Sequence, residues 1–179
     1  MRDAVLSGLT LDTFQRHADK VAMANAAQLV NCLHSLFFAH EDRFCVTPTY
    51  HVFAMYSAHQ GAQSLRTLIS APQVSYARNG QTATLPGLAG SASLNGKRLT
   101  LTVTNQSLDT AREAEIVIRG ATMQSVNAVT LAAPDVHAHN TFESPRAVEP
   151  EEQSVTPRNG MLAHRFPPAS VTKLEMVLV

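Results

Sequence analysis

The residue that most suggests chemistry is Gln28, a neutral amide inside the largely apolar stretch NAAQLVNCLHSLFFAH. A buried amide needs hydrogen-bond partners. Gln28 is therefore either a core glutamine that the protein itself satisfies, or a residue that binds a ligand at the edge of a site. On the residues alone the core interpretation is the simpler one, and both stay open at this point.

A second group of polar side chains lies in the sequence DVHAH, residues 135–139. Asp135, His137 and His139 would share one face of an extended chain, because side chains alternate along it. His-x-His is a known metal-ligand spacing. No further cluster of cysteines or carboxylates completes such a site, so we interpret the segment as a polar loop. We predict neither a metal nor a cofactor.

Other catalytic patterns are scarce in this chain. Glu149, Glu151 and Glu152 cluster beside Pro150, which is typical of a solvated acidic loop rather than of the paired carboxylates of a glycosidase. Neither a Gly-x-Ser-x-Gly nucleophile elbow nor a glycine-rich phosphate-binding loop occurs.

The overall charge argues against an electrostatic partner. Lys plus Arg and Asp plus Glu both number 14, so the formal net charge is zero, and we expect no binding to nucleic acid or to an anionic membrane. No window approaches the roughly 18 apolar residues of a membrane span, and the N-terminus does not have the pattern of a signal peptide. Cys32 and Cys45 lie in apolar surroundings, which predicts buried free thiols in a reducing, cytoplasmic compartment.

The first 60 residues have the apolar spacing of helices. Val5, Leu6, Leu9 and Phe14 recur with helical period, and a second apolar run from Val21 to Phe38 also predicts a helix. A third helix is expected to start at Thr47, because Pro48 is tolerated in the first turn of a helix. Helices this few and this apolar cannot close a core alone, so they need a partner surface.

From residue 61 onward the pattern changes to short strands. RLTLTVTN, residues 98–105, alternates strictly between leucine or valine and threonine, which predicts a half-buried strand. Asn95-Gly96 favours a two-residue hairpin turn before it. AEIVIRG, SVNAVTLA and VTKLEMVLV are further strands, and Pro134 to Arg158 is expected to be a long polar loop. Several short strands with turns between them predict an antiparallel sandwich.

Three blocks of sequence carry a family resemblance: RHADKVAMANAAQLVN, TPTYHVFAMYSAHQ and VHAHNTFESPRAVEP. In order and spacing they resemble the C-terminal part of α-L-arabinofuranosidases of glycoside hydrolase family 51, and the likeness runs from Arg2 to Leu178. Enzymes of that family release terminal arabinofuranosyl groups from arabinan, arabinoxylan and short oligosaccharides, and so serve L-arabinose metabolism.

The resemblance implies a mainly β fold: a jelly-roll-like antiparallel sandwich preceded by the last helix–strand–helix piece of a (β/α)8 barrel. It implies a barrel remnant over residues 1–60 and a sandwich domain over residues 61–179. Asp3 to His17 would be the seventh barrel helix, Lys20 to Ala26 the eighth strand and Thr47 to His59 the eighth helix. Gln28 would follow that strand on the face where barrel active sites form, and the resemblance gives it a hydrogen bond to the bound arabinose.

The same resemblance implies that this chain is catalytically incomplete. The family's general acid/base and nucleophile are two glutamates about 5 Å apart on earlier barrel strands, and no glutamate here aligns with either. We therefore assign no catalytic residue and expect an arabinose-containing glycan to bind through the complete enzyme. We also expect the apolar side of residues 1–60 to be exposed, or buried by self-association of the chain through this segment. The alternative is a non-catalytic sandwich that binds carbohydrate or protein. The scarcity of aromatic residues in the sandwich (Tyr76, Phe142, Phe166 and no Trp) counts against it.

Overall fold

The computed structural model describes residues 1–158 and 160–179. The helices and strands of this described chain are, in order, α1 (Arg2–Arg16), β1 (Phe37–His40), β2 (Arg43–Val46), α2 (Pro48–Tyr56), a 3₁₀ turn (Ser57–His59), β3 (Gln63–Leu65), β4 (Gln73–Arg78), β5 (Gln81–Pro86), β6 (Leu88–Asn95), β7 (Arg98–Asn105), β8 (Arg112–Val117), β9 (Met123–Leu131), β10 (Glu151–Val155), β11 (Met161–Phe166) and β12 (Ser170–Leu178). The prediction of a mainly β chain is confirmed.

The largest sheet has six antiparallel strands in the order β10-β9-β12-β7-β6-β3. The pair β8–β11 covers one face of it, and β4–β5 forms a separate two-stranded ribbon. Leu101, Leu174 and Met176 from the large sheet pack with Leu162 and Phe166 from β11 in one buried cluster. Burial of this apolar surface stabilises the sandwich.

Both helices pack on the opposite face of the same sheet. Val5 of α1 and Val52 of α2 join Leu131 and Val171 of the sheet in a second buried cluster. The expected partner surface for the helices is therefore supplied by the sandwich. Helix α1 matches the helix predicted for Asp3 to His17, and α2 with the following 3₁₀ turn matches the helix predicted for Thr47 to His59. Thr47 caps α2, because its side chain accepts a hydrogen bond from the amide of Tyr50.

The predicted helix over Val21 to Phe38 is wrong. Residues 21–26 have no regular structure, and β1 begins at Phe37. Left-handed backbone angles at Gln28, Asn31 and His34 are incompatible with a continuous right-handed helix. The strand implied for Lys20 to Ala26 is not formed either, because a strand needs a hydrogen-bonded neighbour and no strand of the described chain pairs with this segment.

Three smaller expectations change in detail. Strand β7 is buried on both faces rather than one, because the helices cover its threonine face. The β6–β7 turn consists of Gly96 and Lys97, one residue later than expected. Gly96 has a φ of +58°, and a type II′ turn requires such a left-handed value at its first position. The loop from Pro134 to Arg158 contains β10, which pairs with β9 at the sheet edge.

Candidate functional site

The segment from residue 27 to residue 39 folds back on itself. The amides of Leu36 and Phe37 both donate to the carbonyl of Leu29 at 3.1 Å. Asn31 closes the loop with its side chain, whose Nδ2 donates to the carbonyl of Ala39 at 2.7 Å while its Oδ1 accepts from the amide of Ala39 at 2.9 Å. The polar character of Asn31 is therefore explained by this structural role.

Gln28 lies at the start of that loop and is exposed. The interpretation of Gln28 as a satisfied core amide is therefore wrong, and within the described residues its side-chain amide makes no hydrogen bond. Its backbone is held at φ +59°, and the thiol of Cys32 donates to its carbonyl at 3.2 Å. Non-glycine residues in this conformation are uncommon and concentrate at functional sites. The loop thus fixes the backbone of Gln28 and leaves its amide free.

A cavity of about 240 Å³ lies at the N-terminal ends of both helices. The loop contributes His34 and Ser35 to its wall, and the chain before α2 contributes Thr47. Polar contacts join these parts: Ser7 Oγ lies 3.0 Å from His34 Nε2, and Thr47 Oγ1 donates to the carbonyl of Ser35 at 2.8 Å. Asp3 is the one carboxylate that lines this cavity in the described part of the chain.

The histidines of DVHAH make local hydrogen bonds. The amide of His137 donates to Asp135 Oδ1 at 2.9 Å, and Nδ1 of His139 donates to the carbonyl of His137 at 2.8 Å. Over residues 1–158 and 160–179, no group of three or more His, Cys, Asp or Glu is arranged to hold a metal ion. The interpretation as a polar loop agrees with this geometry.

In the acidic cluster Glu151 and Glu152 are exposed, Glu149 is half-buried, and the contacts are made at the surface. Glu149 accepts from Arg146 at 2.6 Å, and Glu152 accepts from Asn127 at 2.6 Å. Such contacts contribute little to stability when solvent surrounds them. Cys45 is buried as expected, whereas Cys32 is half-buried, and both are free thiols.

A fully buried carboxylate lies between α1 and the sheet. The carboxylate of Asp12 has no exposed surface and accepts from Ser91 Oγ at 2.8 Å and from Thr102 Oγ1 at 2.7 Å. Thr104 Oγ1 donates to its second oxygen at 3.2 Å. This set of contacts, which we call the polar seam, provides acceptors for the threonine face of β7.

The polar seam continues to His59, at the end of the 3₁₀ turn. Its Nδ1 lies 2.7 Å from Ser93 Oγ, and its Nε2 lies 3.1 Å from Thr102 Oγ1. Serine, histidine and aspartate thus meet here, but Ser93 is 2% exposed and His59 is 4% exposed. A substrate cannot reach these atoms, so the seam is not a nucleophilic site.

Burial perturbs both ionisable groups of the seam. It raises the pKa of Asp12 to about 6, although the hydrogen bonds from Thr102 and Ser91 act in the opposite direction. Burial, together with a smaller effect of the positive charge of Lys173, lowers the pKa of His59 to about 4. The sequence analysis did not identify either residue. The available signal was the polar spacing of Ser7, Gly8 and Asp12 along the buried face of α1.

Two solved glycoside hydrolases show the same fold. The chain superposes with a TM-score of 0.87 and 29% identity on the family 51 arabinofuranosidase of Xanthomonas axonopodis pv. citri, over 97% of this chain and 35% of that one. The arabinose complex of the Thermotoga maritima α-L-arabinofuranosidase gives a TM-score of 0.85 and 26% identity, over 98% of this chain and 38% of that one. The fold is thus that of the C-terminal portion of arabinofuranosidases.

Curated relatives agree with the structures. The chain is 31% identical to an intracellular exo-α-L-arabinofuranosidase of Bacteroides ovatus, over 98% of this chain and 34% of the relative. It is 28% identical to an intracellular exo-α-(1→5)-L-arabinofuranosidase of Bacillus subtilis, over 92% of this chain and 33% of the relative. The chain spans about a third of the length of these relatives.

The model of the α-L-arabinofuranosidase C-terminal domain matches residues 1–170. The chain belongs to this family, which confirms the resemblance drawn from its sequence. Among the described residues, no helix is long and apolar enough to cross a membrane.

Proposed function

We propose that this chain is the C-terminal portion of a retaining α-L-arabinofuranosidase that releases terminal arabinofuranosyl groups from arabinan- or arabinoxylan-type glycans. The observation that carries the proposal is the match of the arabinofuranosidase C-terminal domain to residues 1–170. The relatives' names, which specify exo-acting arabinofuranosidases, support the same substrate class.

Gln28 is our candidate for contact with the sugar. Its amide is exposed, its backbone is fixed in a left-handed conformation, and it opens the loop that reaches the N-terminal ends of both helices. An amide can donate to one sugar hydroxyl and accept from another. A rigid backbone beneath a free polar side chain is the arrangement that binding sites require.

The chain alone is expected to be inactive. Retaining glycosidases need two carboxylates about 5 Å apart. In the described residues the cavity at the helix ends offers one carboxylate, that of Asp3. The two catalytic glutamates would come from the part of the enzyme that this chain does not include.

We also propose a division at residue 60, with a barrel remnant before it and the sandwich domain after it. In the complete enzyme the remainder of the barrel would cover the exposed apolar residues of the 21–33 segment. A cytoplasmic location is proposed because the curated relatives are named intracellular.

The alternative function, a sugar-binding sandwich, gains no support from its aromatic residues. Phe166 is buried, and Phe142 lies beneath the guanidinium of Arg43 at 4.7 Å. Of these three aromatic residues, Tyr76 is the one with an exposed ring. A single ring is a poor platform for stacking a glycan.

A chimera tests the proposal directly. The first two-thirds of the Bacteroides ovatus relative, joined to this chain in place of its own C-terminal third, should hydrolyse an aryl α-L-arabinofuranoside. Neither piece alone should do so. Turnover by the isolated chain that disappears when one of its own glutamates, such as Glu115, is replaced by Gln would overturn the proposal. So would a folded chimera that binds no arabinose.

A further inference from the structure

The loop that carries Gln28 buries little apolar surface that could hold it in place. Leu29 and Leu33 are exposed, and the backbone is left-handed at both Gln28 and His34, with φ of +59° and +63°. Residues other than glycine keep such a conformation where the surrounding contacts enforce it. Polar contacts must therefore fix the position of this loop.

The side chain of His34 attaches the loop to α1. Its Nε2 lies 3.0 Å from Oγ of Ser7, although 27 positions separate the two residues along the chain. Within the described chain, no other hydrogen bond joins residues 27–36 to this helix. A second attachment leads to α2, because Thr47 Oγ1 donates to the carbonyl of Ser35 at 2.8 Å. The contact with Ser7 thus sets the place of the loop relative to α1.

A neighbouring carboxylate gives this hydrogen bond its direction. Asp3 lies one helical turn before Ser7 on the same face of α1, and its Oδ2 is 3.9 Å from Nδ1 of His34. The proton of the neutral imidazole is therefore favoured on Nδ1, facing the carboxylate. Nε2 then accepts from the hydroxyl of Ser7.

Ser7 has a fixed position of its own. It is buried, and it lies on the face of α1 that packs on the sandwich. Val5 on that face belongs to the second buried cluster, and Asp12 belongs to the polar seam. The hydroxyl of Ser7 is thus placed relative to the sheet, and its contact with His34 transfers this placement to the loop.

We propose that His34 is the positioning residue of the loop that carries Gln28: by accepting from Ser7 it ties the loop to α1, so that the sandwich sets the place of the sugar-binding amide. The inference rests on the proposed function for the role of Gln28, whereas the attachment itself needs no ligand. A loop released from α1 would populate further conformations. The apparent affinity for the sugar would then fall in proportion to the fraction of competent loop.

Hydrogen exchange of the 179-residue chain tests the attachment without any sugar. The amides of Leu36 and Phe37 donate to the carbonyl of Leu29 and report on the folded loop. In His34→Ala their exchange should become about threefold to tenfold faster, the change expected for the loss of one hydrogen bond. His34→Gln can place an acceptor near the position of Nε2 and should restore most of the protection.

Two further variants make the exchange result specific. Ser7→Ala should match His34→Ala, and the double variant should differ little from either single one, because both remove the same contact. His17→Ala replaces an exposed histidine just after α1 and should leave exchange unchanged. Unchanged exchange of the loop amides in His34→Ala and Ser7→Ala would overturn the proposal. An equal acceleration along the whole of α1, with a lowered Tm, would overturn it as well.

The chimera with the Bacteroides ovatus relative tests the consequence for the enzyme. On an aryl α-L-arabinofuranoside, His34→Ala should raise KM about threefold to tenfold at nearly unchanged kcat, because a loose loop weakens ground-state and transition-state binding alike. His34→Gln should return KM toward the parent value. A KM that His34→Ala leaves unchanged would contradict the positioning role. A parent chimera without turnover would instead count against the proposed function, and hydrogen exchange would still decide the attachment.

Discussion

The hydroxyl of Thr102 donates to Oδ1 of Asp12 at 2.7 Å, although 90 positions separate the two residues along the chain. This contact is part of the surface on which the helical segment meets the sandwich. Because Oγ1 of Thr102 also lies 3.1 Å from Nε2 of His59, one hydroxyl connects α1, the 3₁₀ turn and the sheet.

Replacement of Thr102 by Val should therefore destabilise the whole chain. The change keeps the size of the side chain but removes a donor from a buried carboxylate and an acceptor from a buried imidazole. We expect the free energy of unfolding in urea to fall by about 1–3 kcal/mol. Thr100→Val is the matched control, because Thr100 is buried on the same face of β7 and has no side-chain hydrogen bond in the described chain. Equal losses for the two variants would contradict the importance of the seam.

Gly8→Ala should also destabilise the chain, although alanine is the better helix former by about 1 kcal/mol. A Cβ at Gly8 would lie 2.6 Å from Thr104 Oγ1, closer than packed atoms approach, and 3.1 Å from Val171 Cγ2, which is a tight contact. Overpacking of this kind costs about 1–3 kcal/mol, so the net Tm should fall. Thr10→Ala, at an exposed position of the same helix, should leave the Tm unchanged or raise it. A stabilised Gly8→Ala variant would show that α1 does not pack closely on the sheet.

Much of the fold could be predicted from local patterns. The alternation of RLTLTVTN identified β7, and Pro48 after Thr47 located the start of α2. Sequence periodicity does not tell which layer covers a face, however. The threonines of β7 are polar, yet they are buried because Asp12 and His59 supply partners from segments distant in sequence.

The candidate site was less predictable for a related reason. The apolar residues of the 21–38 segment have helical spacing, but Leu33 is 95% exposed and the backbone is left-handed at three positions. Apolar spacing predicts structure only when the buried face meets a partner surface, and the described chain leaves Met23, Leu29 and Leu33 of this segment exposed. Gln28 looked like a core residue for the same reason, and the role proposed for it rests on the family resemblance.

The exposed apolar residues of this segment lead to a prediction of self-association. Met23 is 75% exposed and Leu33 is 95% exposed, and monomeric proteins rarely expose large contiguous apolar patches. We expect the isolated chain to sediment as a species larger than a monomer, and Leu33→Asp to shift it toward the monomer. Leu108→Asp, at an exposed position in the sandwich, is the control and should have no effect. A monodisperse parent chain whose first 60 residues resist proteolysis would count against this prediction.

Gln28 can be tested in the chimera described above, where its proposed partner is present. If its amide bonds a sugar hydroxyl, Gln28→Ala leaves that hydroxyl unpaired in a closed pocket. Such a loss costs about 1–3 kcal/mol, which corresponds to a fall of roughly tenfold to a hundredfold in kcat/KM. Because Gln28 is exposed and makes no side-chain hydrogen bond within the described chain, the Tm of the variant should stay unchanged. Gln60→Ala, an exposed amide after the 3₁₀ turn, should alter neither quantity. Normal kcat/KM beside a lowered Tm would assign Gln28 a structural role and remove it from the site.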